Sequence, residues 1–224
     1  MHLTVPRVLR RLRANRRGVA MLEFALTLPI VVPIGMYAVE LCNFGVRQLQ
    51  LSQAALTLAD NASRVGVDTN MATQQLREVD INEIVEGLRL QTRGLQLTTN
   101  GRVTISSLEM KDGEQWIHWQ RCVGLKRGAG YDSTFGAEGA GGTSGTPFHG
   151  MGEGMRVKSP ANSGVIFVEI NYDYIPLISN YFVGTRKLQQ VASFIVRDNR
   201  EFGSGITNPA PAAGERMTCD RYTT

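Results

Sequence analysis

The chain has 224 residues, enough for one membrane anchor and one modest domain, and its charge is unevenly divided. Residues 1–18 hold six arginines (Arg7, Arg10, Arg11, Arg13, Arg16 and Arg17) and no acid, whereas the remainder carries 18 basic and 20 acidic residues. That split excludes a nucleic-acid reading of the basic isoelectric point, because the part that folds is not basic. It also sets the N-terminus on the cytoplasmic side of a membrane by the positive-inside rule.

After Arg16-Arg17-Gly18 comes Val19-Ala20-Met21-Leu22-Glu23-Phe24, and from Phe24 to Val39 no side chain is charged. At about 1.5 Å per residue, Val19 to Leu41 covers most of a hydrocarbon core of roughly 30 Å. A transmembrane helix is predicted over 19–42. Glu23 is its anomaly. A carboxylate at a bilayer centre costs roughly 2.5–3.5 kcal/mol, so Glu23 needs a partner or a place near the headgroups, for instance beside Arg16 or Arg17. Pro29 and Pro33 each remove a helical hydrogen bond and predict a kink or local unwinding near residues 28–32. A removable secretory signal has an apolar region of about 7–15 residues ending at a small-x-small site. Here the run is longer and no Ala-x-Ala follows it before Arg47.

This stretch resembles the amino terminus of type IV pilin-like proteins, with a basic leader ending in Gly18, a hydrophobic helix, and Glu23 fifth after Gly18. The short leader and the Glu23-Phe24 pair are most similar to the TadE/TadF-type minor pilins, or pseudopilins, of tight-adherence (Flp) pili. The resemblance implies cleavage between Gly18 and Val19 by a prepilin peptidase. It implies an α+β, pilin-like fold, with a long N-terminal helix half in the membrane or pilus core and half in a head domain. It implies that Glu23 meets the amino terminus of a neighbouring subunit. The implied partners are other pilins or pseudopilins and the pilus assembly platform. The implied place is the bacterial inner membrane, single-pass, with a cytoplasmic N-terminus and a periplasmic C-terminal domain, or the pilus itself. The rival reading is an uncleaved membrane-anchored periplasmic domain that acts as an enzyme or binds a ligand.

Past the apolar run, Phe44, Leu51, Ala55, Leu58, Ala62 and Val65 form one helical stripe, so the helix continues to about Val65 and packs on a small antiparallel sheet. The domain is read as 43–202. Gly66 to Asn70 breaks the helix, with Asp68 or Asn70 available as a cap. Leu76, Ile81, Ile84, Val85 and Leu88 predict a second helix over about 71–89. Asn100-Gly101 predicts a type I′ hairpin between strands at 95–99 and 102–108, and Asp112-Gly113 a second turn into a strand at 114–121. In that strand Ile117 and Trp119 share one face, Trp116 and His118 the other. Twelve of the 42 residues from Val123 to Gly164 are glycine, which predicts a long surface loop that buries no core. Alternation from Val165 to Tyr174 predicts a strand, followed by a helical turn near 178–182 and a last strand at 188–196. The patterns at 168–174 and 192–197 also resemble the end of TadE-type proteins. The tail 203–224 is read as lying along the surface.

Cys42, Cys122 and Cys219 have no metal-site spacing. Cys42 ends the membrane helix as a small packing residue, which leaves Cys122 and Cys219 to pair in an oxidising compartment. His118 and His149 have no nucleophile or acid/base couple beside them. No catalytic residue, metal or cofactor is expected, and the chain reads as the substrate of an enzyme rather than an enzyme.

Overall fold

The computed structural model describes residues 18–66, 75–142, 147–197, 200–203, 205–206 and 216–224. The arginines of the leader and the candidate caps Asp68 and Asn70 lie outside them. Helix α1 (Val19–Arg64) runs for 46 residues with Pro29 and Pro33 inside it. The expected local unwinding is absent. Residues four apart stack on one side of a helix, so the two prolines remove neighbouring rungs and leave those on the other sides intact. Contacts divide the chain into two compact units. One runs up to Phe44 and adds Pro176–Gly184; the other is Gly45–Ile175 with Thr185–Thr224.

The first unit contains the apolar part of α1 and a segment with one short helical turn at Asn180–Val183. Ser179 starts that turn, its hydroxyl accepting from the Tyr181 N–H.

The second unit is α+β. Helices α1 and α2 (Glu78–Gln91) accompany a four-stranded antiparallel sheet of order β2-β1-β3-β4. The strands are β1 (Gly101–Lys111), β2 (Glu114–Val123), β3 (Gly164–Asp173) and β4 (Lys187–Ile195). The predicted stripe of α1 is the buried one: Leu51, Ala55, Leu58 and Ala62 are all sequestered, together with Ala54 and Ala59. α2 starts later than expected because Asp80 fixes its first turn. Its carboxylate accepts from the Arg77 backbone N–H at 2.9 Å and pairs with the Arg77 side chain at 2.6 Å.

Two expectations fail here. Residues 95–99 form no strand, and the three-stranded meander is a two-stranded hairpin. Arg93–Leu95 is a 3-10 turn and Leu97–Asn100 a short helix (α3), after which β1 begins at Gly101. Gly101 is required by close approach rather than by a turn, since a Cβ there would sit 2.5 Å from the Asn171 carbonyl oxygen. The Asp112-Gly113 turn is as expected, with both residues at positive φ (52° and 85°) between the paired Lys111 and Glu114. The β1–β2 register shifts between Ser107 and Leu108, which leaves His118 as the extra residue of a bulge.

The second failure is the glycine-rich segment. It buries a core of its own. Leu108, Ile117, Met151, Val165 and Phe167 cluster, with Phe135, Ala140, Phe148 and Val157 packed against them. Of these, Phe135, Ala140, Phe148, Met151 and Val157 come from the segment. All of β3 but its last residue is therefore buried, on both faces. Glycine permits the close fit: at Gly141, with φ of 83°, a Cβ would lie 2.1 Å from the Gln115 carbonyl oxygen.

Candidate functional site

Between Val19 and Val39 every residue of α1 is exposed. The helix has a mean hydropathy of 2.0 over its most apolar stretch, and none of that stretch is buried. A surface this apolar is unstable in water and fits a membrane anchor. Gly18 lies just before it, and Val19 is its first residue. Glu23 and Phe24 stand one turn on, both exposed, and among the described residues none pairs with Glu23. The apolar stretch ends at Glu40, which is fully buried. Its two carboxylate oxygens accept backbone N–H bonds from Leu177 at 3.1 Å and Ile178 at 2.8 Å. In the sequence Glu40 is only the next charge after Glu23. Its partners lie 137 and 138 residues away and leave no local signal.

The second unit places the cysteines at the outer edge of β2. Cys122 and Cys219 are joined, with Cα atoms 4.7 Å apart, while Cys42 is free and exposed on α1. The tail follows that edge, the Cys122 N–H donating to the Met217 carbonyl and the Gly124 N–H to the Thr223 carbonyl, each at 2.7 Å. The glycine-rich segment covers the other end of the edge through bonds between Ile117 and residues Gly139 and Ala140. Both coverings blunt an edge that otherwise offers free strand-pairing groups. Beside the disulfide is a pocket of about 420 Å³ lined in part by Asp132, Ser133, Thr134 and Tyr222. Asp132 lies 3.5 Å from the guanidinium of the buried Arg102. No group of metal-ligating side chains occurs among the described residues.

Buried charges in this unit have structural partners. His118 Nδ1 lies 2.7 Å from Glu109, and its ring stacks on Trp116. His149 is exposed. Glu169, central in β3, accepts from the Ser133 hydroxyl and from the Thr134 hydroxyl and N–H. Burial pushes the Glu169 carboxyl above its ordinary range, and these hydrogen bonds oppose the shift without cancelling it. A raised folded pKa means that the fold favours the protonated acid. Its contribution is complete below the unfolded carboxylate range and is lost as pH rises through the folded value. Glu169→Gln keeps a donor and an acceptor there. It should match the parent in urea midpoint near pH 4 and exceed it near pH 8; a parent that gains on the variant with rising pH would contradict this assignment.

The comparison with known families follows the apolar helix. Residues 18–66 match the family described as TadE-like protein. The N-terminal helix is TadE-like. The match begins at Gly18 and ends two residues after α1, so it covers both the exposed apolar half and the packed half of the helix. The TadE-like family is a pilus component and not an enzyme family, and the match points to Tad pilus assembly. No curated protein and no solved structure matches the chain. The likeness of residues 168–174 and 192–197 to the end of TadE-type proteins lies outside the matched residues.

Proposed function

We propose that this TadE-like protein is a membrane-anchored subunit acting in the assembly of tight-adherence pili. In this reading prepilin peptidase removes residues 1–18, and the mature chain starts at Val19. The helix then packs on other pilins or pseudopilins and on the assembly platform, while the α+β head lies in the periplasm. The observation that carries the reading is the wholly exposed apolar stretch of α1 from Val19 to Val39, which bears one carboxylate, Glu23, at the fifth position after Gly18. The basic leader supports the cytoplasmic N-terminus, and the disulfide fits an oxidising periplasm.

Cleavage puts a new ammonium at Val19, about 6 Å of helix from Glu23. In an apolar assembly a charge left alone is costly. One axial offset between neighbouring helices pairs the Glu23 carboxylate with the neighbour's amine, and other offsets bury both unpaired. Glu23 thus acts as a register device. Intact-mass analysis of membrane-extracted protein should show loss of eighteen residues. Glu23→Ala should leave that cleavage and membrane insertion intact while lowering co-purification of partner pilins several-fold. A chain retaining Met1 in cells with active prepilin peptidase would reject the processing step. Normal partner capture and piliation with Glu23→Ala would reject the register role.

A further inference from the structure

We infer that the β3–β4 connection is a second membrane attachment, an interfacial loop that Glu40 holds at the outer boundary of the bilayer. Two antiparallel neighbours are ordinarily joined by about 2–5 polar residues. Here β3 ends at Asp173 and β4 begins at Lys187, and these two residues are paired across the strands. Between them Tyr174 to Thr185 contains no charged side chain, and it reads Tyr-Ile-Pro-Leu-Ile-Ser-Asn-Tyr-Phe-Val-Gly-Thr. Such a stretch is unlike a solvated turn.

Its tip is open and carries an apolar and an aromatic side chain on either side of Ser179 and Asn180. Leu177 is 64% exposed and Tyr181 91% exposed. Its position along α1 is fixed by Glu40, whose carboxylate holds the Leu177 and Ile178 N–H groups. Glu40 directly follows the uncharged run of α1, and Leu41 closes the apolar stretch. The loop is therefore level with the point where the helix leaves the hydrocarbon. Tyr37, one turn earlier and 44% exposed, puts another aromatic ring in the same band. Tyrosine and tryptophan concentrate there because their rings take an apolar body and a polar tip. The arrangement also explains how an acidic side chain sits buried at this boundary. Two charge-assisted backbone bonds replace the water that the carboxylate loses. The occupant of the exposed face is the headgroup–acyl boundary of the lipid into which α1 inserts.

The inference rests on α1 spanning the bilayer, so the experiment reads both. In the full chain carrying Cys42→Ser, a nitroxide is attached at Tyr181→Cys or at Val31→Cys, the native disulfide being left oxidised. The proteins are reconstituted at low density in phosphatidylcholine vesicles, and collision rates with oxygen and with a water-soluble nickel chelate give depth. The label at 31 should lie deep in the acyl region and the label at 181 just below the headgroups. Adding Glu40→Ala should move the label at 181 into water and leave the label at 31 unchanged. A label at 181 in water, with 31 deep, overturns the lipid loop and leaves the anchor standing. A label at 31 in water overturns both. Spin–spin broadening at 181 that grows with protein density, in place of lipid exposure, assigns the loop to a neighbouring copy and overturns the lipid assignment. An unchanged depth at 181 with Glu40→Ala overturns the role of Glu40.

Discussion

Glu78→Ala is expected to lower the stability of the head by about 3–5 kcal/mol, the usual cost of removing one partner from a buried ion pair. Glu78 opens α2, and Arg121 lies in β2. The guanidinium Nε is 3.1 and 2.9 Å from the two carboxylate oxygens, and Nη2 makes a further bond to one of them. The side chains are 3% and 9% exposed, so water screens the pair little. Removing Glu78 leaves the Arg121 charge buried, with Glu138 as its remaining acidic contact. That contact is 3.2 Å long, but Glu138 is 53% exposed. Glu138 also accepts the N–H of buried Gln120 at 2.9 Å, so Glu138→Ala is expected to cost about 1–2 kcal/mol, less than Glu78→Ala. A hydrophobic pair, Glu78→Leu with Arg121→Met, should be less harmful than Glu78→Ala alone, because no charge is then stranded. Urea midpoints of the detergent-solubilised chain order the three variants. A Glu78→Ala protein within 1 kcal/mol of the parent would mean that the pair is solvated.

The parts of this fold legible in the sequence are those where one local period decides burial. The stripe of α1 was readable because one side of the helix faces the core and the others do not. β3 was readable as a strand, although alternation suggested one polar face. Glu169 and Asn171 on that face are buried instead, satisfied by the glycine-rich segment: Ser133 and Thr134 serve Glu169, and the Asn171 amide donates to the Tyr131 carbonyl at 3.0 Å. That segment was misread because average composition conceals a few anchors. Phe135, Phe148, Met151 and Val157 suffice to cover one sheet face while glycines bring the backbone close.

Asn100-Gly101 shows the opposite error. The dipeptide is a strong turn signal, yet here the glycine meets a steric demand from Asn171, seventy residues on. Glu23 was conspicuous as a lone charge in an apolar helix. Glu40, whose partners lie 137 and 138 residues on, carries no local sign of them. What could not be read locally was pairing across the chain: Glu40 with Leu177 and Ile178, Glu78 with Arg121, and Arg102 with the tail.

Arg102 and the Cys122–Cys219 bridge should prove strongly coupled. Arg102 is fully buried in β1. Its Nη1 donates to the carbonyls of Gly124 at 3.0 Å and Arg221 at 2.8 Å, and its Nη2 to that of Cys219 at 2.6 Å. The guanidinium also lies 4.3 Å from the centre of the Tyr222 ring. Burial pulls its pKa below the ordinary guanidinium value, opposed by the nearby Asp132 carboxylate. The bridge links residues 97 apart and holds the same tail to β2. A loop of that size is worth at most about 4.7 kcal/mol by chain entropy. With the bridge intact, Arg102→Met strands tail carbonyls that cannot leave, and bonds to a charged donor contribute roughly 1.5–3 kcal/mol each. A loss of about 3 kcal/mol is expected. With both cysteines changed to alanine, the tail can detach and expose those carbonyls to water, so Arg102→Met should cost less by about 1 kcal/mol or more. The triple variant should also be cut by trypsin at Arg216 and Arg221 much faster than either parent variant. Costs that add to within about 0.5 kcal/mol would mean that the arginine and the bridge hold the tail independently.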